Sequence, residues 1–410
     1  MPLVVQKYGG TSVGDSHRIK NIARRVAERR EKGDSIVVVV SAMAGETDRL
    51  VGLTAAMADE VESREYDVVV SAGEQVTAGL LSIALNGLGC KAKSLLGFQI
   101  PIITDQSYGR ARIERIDGKR LAAELDGGAV VVVAGFQGVD RGNNIATLGR
   151  GGSDTTAVAL ATALEADVCE IYTDVEGVFT TDPNICSDAR KLHKISYDEM
   201  LEMASLGAKV LQTRSVEFAK KYHVPLMVRS SFTDAEGTLV TMEDEDMEKV
   251  VVSGITYNKN EAKISVVRIP DRPGVAAKLF LPLTEADINV DMIVQNISHD
   301  GYTDMTFTVP RVDYEKALTL IKGTAHGLDA QDVIGTTDIA KVSIVGAGMK
   351  SHAGVASKTF DTLAAEGINL QVISTSEIKI SCVINEEHTE KAVRALHNAF
   401  ELGESEVSEE

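Results

Sequence analysis

Two glycine-rich segments each carry a basic residue: Lys7-Tyr8-Gly9-Gly10-Thr11-Ser12 near the start, and Gly149-Arg150-Gly151-Gly152-Ser153-Asp154-Thr155 further on. Small residues let backbone N–H groups approach an anion, and each segment leads toward a helical stretch whose N-terminal dipole favours negative charge. The implied chemistry is phosphate binding. A Walker A loop would place Lys and then Ser or Thr directly after its second Gly, and no such run occurs, so another scaffold must hold the phosphate.

That scaffold is legible in the spacing of apolar residues. Five β-branched runs, at 3–8, 36–40, 68–70, 129–134 and 168–172, alternate with helical patterns. This is the signature of an α/β layered fold with a mostly parallel sheet. Between the first two runs Ile19, Ile22, Ala23, Val26 and Ala27 recur at helical spacing, while Arg18, Arg24, Arg25 and Arg29 fill the other face, which predicts one amphipathic crossover helix. Each run is followed by small or polar residues: Gly9-Gly10, Ser41-Ala42-Met43, Ser71-Ala72-Gly73-Glu74, Gly135-Phe136-Gln137-Gly138 and Thr173-Asp174. Ligands of open α/β sheets bind outside the carboxyl ends of the strands, so one cleft is expected to gather all five segments.

The chain has 410 residues, enough for two or three domains, and an apolar fraction of 44%. Its net charge of −18 argues against sequence-independent binding to nucleic acid or to an anionic membrane. In so acidic a chain an anionic substrate needs a few local cations; Arg150 and Lys209 sit beside Gly or Ala, and Lys7 lies two residues before Gly9. Cys90, Cys169, Cys186 and Cys382 are too widely spread for a zinc ribbon or redox dithiol, and no metal site is expected among them. No apolar run in the sequence approaches membrane-spanning length, and the N-terminus turns polar too soon for a secretory signal; a cytoplasmic protein is expected.

From 233 to 249 the composition turns acidic, with Glu243-Asp244-Glu245-Asp246, and predicts an exposed connector. Beyond it the chain repeats itself. Ala262-Lys263-Ile264-Ser265-Val266-Val267 resembles Ala340-Lys341-Val342-Ser343-Ile344-Val345, Pro273-Gly274-Val275-Ala276-Ala277-Lys278 resembles Ala353-Gly354-Val355-Ala356-Ser357-Lys358, and Ile288-Asn289-Val290 matches Ile368-Asn369-Leu370. Each copy reads strand, Gly-containing loop, helix, strand, strand, helix, the ferredoxin-like order, and suits a duplicated sensor module.

Taken together these residues resemble the aspartate kinases of the amino-acid kinase family, which carry two C-terminal ACT regulatory domains. The resemblance covers essentially the whole chain and rests on six segments in order: 7–12, 40–43 with Thr47-Asp48, 71–75, 150–155, 173–178 and 207–211. It implies a catalytic domain over 1–232, the connector over 233–249, and ACT domains over 250–335 and 336–410. Two departures stand out. Gln212-Thr213 replaces the family's His-Pro and reads as a neutral loop change, whereas Asn184 replaces a basic residue and removes a phosphate contact.

The resemblance implies transfer of the γ-phosphoryl of ATP to the side-chain carboxylate of L-aspartate, with magnesium arriving on the nucleotide. Lys7 would stabilise the transferring phosphoryl, with Asp154 beside it as the second catalytic residue. Arg150 would clamp the α-carboxylate, and Glu74 would receive the ammonium, a task Asp154 shares. Ser41, Thr47, Gly151, Gly152 and Ser153 would complete the substrate site, although Ser153 or Asp154 could equally be a helix cap. The nucleotide would meet Lys7, Tyr8, Gly9, Gly10 and Ser41 on one side, and Thr173, Asp174, Phe179, Asp182 and Lys209 on the other. Lysine, threonine or both would act as feedback effectors across a homodimer or larger homo-oligomer. In the first ACT copy they would meet Asp271, Arg272, Pro273, Gly274, Val275 and Ala276, then Asn289, Val290, Asp291 and Gln295. In the second they would meet Val355, Ala356, Asn369, Leu370, Ser376 and Glu377. Met247 is a candidate internal start for a separate regulatory chain. Another amino-acid kinase acting on a different carboxylate, and a catalytically inactive amino-acid sensor, are the alternatives.

Overall fold

Valine-rich strands organise the first part of the molecule. The structure, a computed structural model, describes residues 2–58, 61–206, 210–244, 247, 250–296 and 300–403. These fall into two compact units, the first drawn from 1–178, 191–204 and 209–247, the second from 179–190, 205–208 and 248–410. Strands of the first unit are Leu3–Tyr8 (β1), Ser35–Val40 (β2), Ala92–Leu95 (β3), Ile102–Thr104 (β4), Ile113–Ile116 (β5), Val130–Ala134 (β6), Gln137–Val139 (β7), Ile145–Thr147 (β8), Val168–Thr173 (β9), Lys194–Ser196 (β10), Leu226–Ser230 (β11) and Thr238–Thr241 (β12). The helices are Ser16–Glu31 (α1), Glu46–Ala55 (α2), Ser63–Val70 (α3), Ala72–Gly87 (α4), Lys119–Asp126 (α5), Gly152–Ala163 (α6), Tyr197–Ser205 (α7) and Thr213–Tyr222 (α8).

Eight strands form one sheet in the order β10-β12-β11-β9-β1-β2-β6-β3, parallel except between β11 and β12. Four short strands make a side sheet, β5-β4-β7-β8. The runs in β2 and β6 are buried almost throughout, as parallel strands covered on both faces must be. On one face α1 and α4 bury Ile22, Val26, Leu81 and Leu85 against Val38 and Val132. On the other lies α6, whose Ala, Thr and Val side chains let its backbone come close to β1 and β9. Asp15 caps α1 by accepting from the Arg18 N–H at 2.9 Å. Arg29, in the last turn of α1, reaches the buried Glu170 carboxylate at 2.5 Å and ties the helix to β9.

One expected strand is a helix. Residues 68–70 form the last turn of α3, because Asp67 must point inward: its carboxylate accepts from Gly109 N at 2.9 Å, Thr147 N at 2.7 Å and Thr147 Oγ1 at 2.7 Å. Those bonds outweigh the weak strand preference of three β-branched residues. Ser71–Glu74 is therefore a junction between helices, and Glu74 lies in the first turn of α4. The span 63–87 is long and apolar enough by length and composition to cross a membrane, contrary to the sequence expectation, with 50% of its apolar window buried inside the fold.

The second unit holds two antiparallel four-stranded sheets. Its strands are Gly254–Asn258 (β13), Glu261–Pro270 (β14), Ile293–Gln295 (β15), Tyr302–Pro310 (β16), Asp332–Thr336 (β17), Ile339–Val345 (β18), Val372–Thr375 (β19) and Lys379–Asn385 (β20). One sheet, β15-β16-β14-β17, carries helices Val275–Glu285 and Tyr314–Gly327; the other, β13-β18-β20-β19, carries helices Val355–Ala365 and Thr389–Ala399. Each repeat thus has the ferredoxin-like order, but the boundary at 250–335 is corrected. β13 pairs with β18, from Gly254↔Val345 to Asn258↔Lys341, and completes the sheet of the second repeat. Separate cores form, one around Ile264, Leu279, Phe307 and Ile321, the other around Ile344, Leu363, Ile384 and Leu396.

Candidate active site

The register Lys7↔Val39 and Lys7↔Ile171 sets Lys7 near the carboxyl end of the sheet, just before the Gly9-Gly10 turn. Because side chains alternate along a strand, Lys7 faces α6 while Tyr8 faces α1. The Lys7 ammonium lies 2.6 Å from Asp154 Oδ1, both side chains largely buried. Asp154 belongs to the first turn of α6, which starts after Gly151 at φ +70°; a Cβ there would also sit 2.1 Å from Gln212 Cγ, so glycine is required on both counts. Gly151 is the N-cap and no side chain caps the helix, so neither Ser153 nor Asp154 takes that role. The first-turn N–H groups of a helix lack intrahelical acceptors, and here they open on the cleft.

That cleft, about 400 Å³, is lined by Lys7, Gly10, Ser41, Thr47, Glu74, Arg150, Gly151, Gly152, Ser153 and Asp154, which gathers the expected substrate residues into one place. Gly10 approaches closely, since a Cβ would stand 3.0 Å from the Ala42 carbonyl. Thr47 lies in the first turn of α2, so a second helix N-terminus faces the same space. Glu74 is 3% exposed; its Oε1 accepts from Ala42 N–H at 3.1 Å, and its Oε2 has no hydrogen-bond partner among the described residues. Burial pushes its carboxyl up to about 7, against the pull of the Ala42 N–H, so an arriving cation would favour its ionised form. Arg150 is exposed at the rim.

The cleft has further walls that the motifs did not mark as contacts: Met43, Ala44, Gly45, Asp48, Phe136, Gly149 and Gln212. Asp48 stood inside a recognised motif, and that was its only signal. Gln212, read from the sequence as a loop residue, packs on Gly151 at the cleft wall. Tyr8 is corrected too: its ring is 1% exposed and stacked on Tyr172 at 4.6 Å, and its carbonyl accepts from the Ser41 N–H at 3.1 Å, so it is turned away from the cleft. Thr173 and Asp174 leave β9 beside Gly9, whose N–H donates to the Tyr172 carbonyl at 3.3 Å; Thr173 Oγ1 donates to Asp174 at 3.1 Å. Phe179 and Asp182 belong to the second unit, where Asp182 accepts from Tyr257 OH at 3.0 Å and from the Asn184 N–H at 2.9 Å. Lys209 lies outside the described residues.

The expected effector residues lie in the second unit and form two equivalent sets. Gly274 at φ +89° and Gly354 at φ +101° start the two first helices, and Asp271, Arg272, Pro273 and Ala276 are exposed around the former. Val275 and Val355 are instead core residues, 5% and 8% exposed, and Ala356 packs beside the second core. Asp291 N–H donates to Thr308 O at 3.0 Å, and its counterpart Gln371 donates to Val383 O at 2.8 Å, so the segments after Asn289-Val290 and Asn369-Leu370 follow the same path. Gln295 Nε2 approaches Asp271 at 3.4 Å, while Ser376 and Glu377 are exposed in the turn between β19 and β20. The copies also grip each other. Lys341 of the second bonds Asp291 of the first, and Lys263 of the first donates to Gln371 of the second. Lys341 is 2% exposed and also pairs with Glu261 at 2.5 Å. Burial pulls its ammonium down, but the two carboxylates more than offset that and the net shift is upward; Lys263 has no carboxylate partner among the described residues and burial lowers it.

Comparison with known proteins identifies the family to which the chain belongs. Residues 2–230 match the amino acid kinase family, and 264–324 and 342–400 each match the ACT domain. The chain is 58% identical over 404 residues to an aspartokinase of Pseudomonas aeruginosa, covering 98% of both, and 47% identical over 408 residues to an aspartokinase of Corynebacterium glutamicum, covering 98% of this chain and 97% of that one. Among solved structures, aspartokinase III of E. coli in complex with aspartate and ADP superposes with a TM-score of 0.79 at 26% identity, covering 97% of this chain and 99% of that one. The chain belongs to the aspartate kinases, the members of the amino acid kinase family that end in paired ACT domains.

Proposed function

We propose that the cleft transfers the γ-phosphoryl of ATP to the side-chain carboxylate of L-aspartate with the following division of labour. The nucleophile is ionised at neutral pH, its pKa being about 4, so no general base is needed. The obstacle is repulsion between anions, and the remedy is positioning plus fixed positive charge. Arg150 holds the α-carboxylate bidentately and Glu74 Oε2 takes the ammonium, which aims the side-chain carboxylate toward Lys7. Lys7, held by Asp154, and the α6 N-terminus neutralise charge gathering on the transferring oxygens. The observation that carries this reading is the 2.6 Å Lys7–Asp154 pair on the wall of a cleft that Glu74 and Arg150 also line.

Magnesium fits this donor set. Asp154 offers a buried hard oxygen beside the phosphate position, and the phosphates provide most of the remaining ligands. Bound there, the ion would offset phosphate charge. The nucleotide lies along Gly9, Gly10, Thr173 and Asp174.

The ACT pair makes the activity subject to feedback by lysine, threonine or both. The E. coli enzyme has been seen with lysine and aspartate in a T-state, which motivates lysine as the first candidate. Inhibition requires that the effector bind the inactive arrangement more tightly than the active one. ADP release from MgATP tests all of this. Dependence on L-aspartate, lost in Lys7→Ala without loss of fold, supports the roles given. Turnover that L-aspartate does not stimulate refutes them. Suppression by one amino acid, or only by the pair, identifies the effector.

A further inference from the structure

The segment 179–190 is drawn from the catalytic half of the sequence but folds into the second unit. Ile255 N–H of β13 donates to the Thr180 carbonyl at 2.7 Å, and Thr180 N–H donates to Arg190 O at 2.9 Å, which closes the segment into a loop. Within it, the Cys186 N–H donates to Asp182 O and the Ala189 N–H to Cys186 O, both at 3.0 Å, a pair of tight turns that bring Cys186 and Asp188 to one side. Facing them is His397, in the helix Thr389–Ala399.

One sulfur, one carboxylate oxygen and one imidazole nitrogen from these three residues lie within 4.8 Å of one another. Cys186 is 3% exposed and His397 is fully buried. His397 Nε2 is 3.0 Å from Thr180 Oγ1, which also accepts from the Arg190 N–H at 3.0 Å, so the ring orientation is held from behind. Its other nitrogen, Nδ1, is buried without a hydrogen-bond partner among the described residues and stands 3.9 Å from Asp188 Oδ2. A buried, unsatisfied ring nitrogen aimed at a thiol and a carboxylate is costly in an apolar core. Gly403 comes close as well, since a Cβ on it would stand 2.7 Å from Asp188 Oδ2.

We propose that Cys186, Asp188 and His397 form a binding site for a zinc-class transition-metal ion, with water as the fourth ligand. A sulfur, a nitrogen and a single carboxylate suit a borderline cation, whereas magnesium and calcium ask for oxygen alone. Ligand atoms of a tetrahedral zinc site stand about 3.3–3.8 Å apart, given metal–ligand bonds of about 2.0–2.3 Å. The exposed Asp188 side chain has the freedom to close that gap. Thr180 takes the part of the outer partner that fixes the imidazole. Coordination would form a metal–sulfur bond, and the Cys186 proton would leave to solvent. The bound ion would clasp residues 186–188 to a helix about 210 positions further along the chain.

Cobalt(II) is the probe, applied to the full-length chain after treatment with chelator. Thiolate-to-cobalt charge-transfer absorption should appear with tetrahedral visible bands, saturate at one ion per chain, and be bleached by zinc; zinc alone should raise the Tm. Cys186→Ser should abolish the charge-transfer band, and Cys90→Ser and Cys382→Ser should leave it. His397→Gln alters a buried side chain and risks the fold. Asp188→Asn, at an exposed side chain, guards against that ambiguity and should weaken cobalt binding at least about ten-fold. Absence of the band in the folded chain, its survival in Cys186→Ser, or undiminished affinity in Asp188→Asn would each overturn the site.

Discussion

Lys7 and Lys341 are both buried ammonium groups beside carboxylates, placed in surroundings that give them opposite tasks. Lys7 is paired with one carboxylate, at 2.6 Å, and fronts a cleft of about 400 Å³. Lys341 is clasped by Glu261 at 2.5 Å and by Asp291, with its side chain 3% exposed. An ammonium on an open cleft can take up phosphate oxygens. One enclosed by two carboxylates is committed to the protein and can only hold things together. What separates the lysine proposed to act on phosphate from the structural one is the space in front of it.

The contrast is broken most severely at Lys7. Lys7→Ala should lower kcat by about 10³-fold or more, with a modest change in Tm, because charge offset in the transition state is lost while the cleft remains. Steady-state kinetics with a parallel thermal melt would show it. Lys341→Ala should do the reverse. Stability falls by about 3–5 kcal/mol in denaturant titration, because Glu261 is left buried with no cation beside it and only the Asn258 amide donating to it, and turnover without effector is preserved. The double variant Lys341→Met with Glu261→Met should recover most of that loss.

Glu74 sharpens the comparison, because burial raises its carboxyl to about 7 where no fixed cation compensates. Below that pH it is neutral and binds ammonium poorly, so KM for L-aspartate should rise as pH falls from 8 to 6. Its folded pKa lies above the ordinary value of 4.5, so the group erodes stability as pH climbs from about 4.5 through 7 and adds no further cost above. Glu74→Gln should accordingly melt higher than the native chain at pH 8 and alike at pH 5, while raising KM for L-aspartate by about ten-fold or more. The smallest effect belongs to Asp291→Asn. With a half-exposed carboxylate, it should cost only about 0.5–1 kcal/mol and make the grip of Lys341 resemble that of Lys263 on Gln371. Effector titration would then show whether the charge difference between the two loops matters to inhibition.

The strands β1, β2, β6 and β9 were legible because a run of buried valine and isoleucine has few other homes. Residues 68–70 look the same in one dimension; only the partners of Asp67, about 40 and 80 positions away, make them helical. The site was legible where chemistry restricts residue type, at Lys7, Arg150, Glu74 and the glycines. It was hidden at Gln212, whose place on the cleft wall comes from packing. The repeat placed Lys263 opposite Lys341 in alignment, but no alignment says that each reaches across to the other copy. Nor does spacing reveal Cys186, Asp188 and His397, since two loop positions and a distant helix share no period.

The placement of β13 bears on how the regulatory half can be divided. The sheet ordered β13-β18-β20-β19 takes its first strand from residues that precede the entire first repeat. A fragment starting at 336 would expose the bare edge of β18, an open template for pairing with other chains. During synthesis that sheet must also wait, with β13 made early and its partner strand β18 about 80 residues later. A shorter regulatory polypeptide keeps both modules whole only if it begins before Gly254, and Met247 meets that condition where a start a dozen residues later would not.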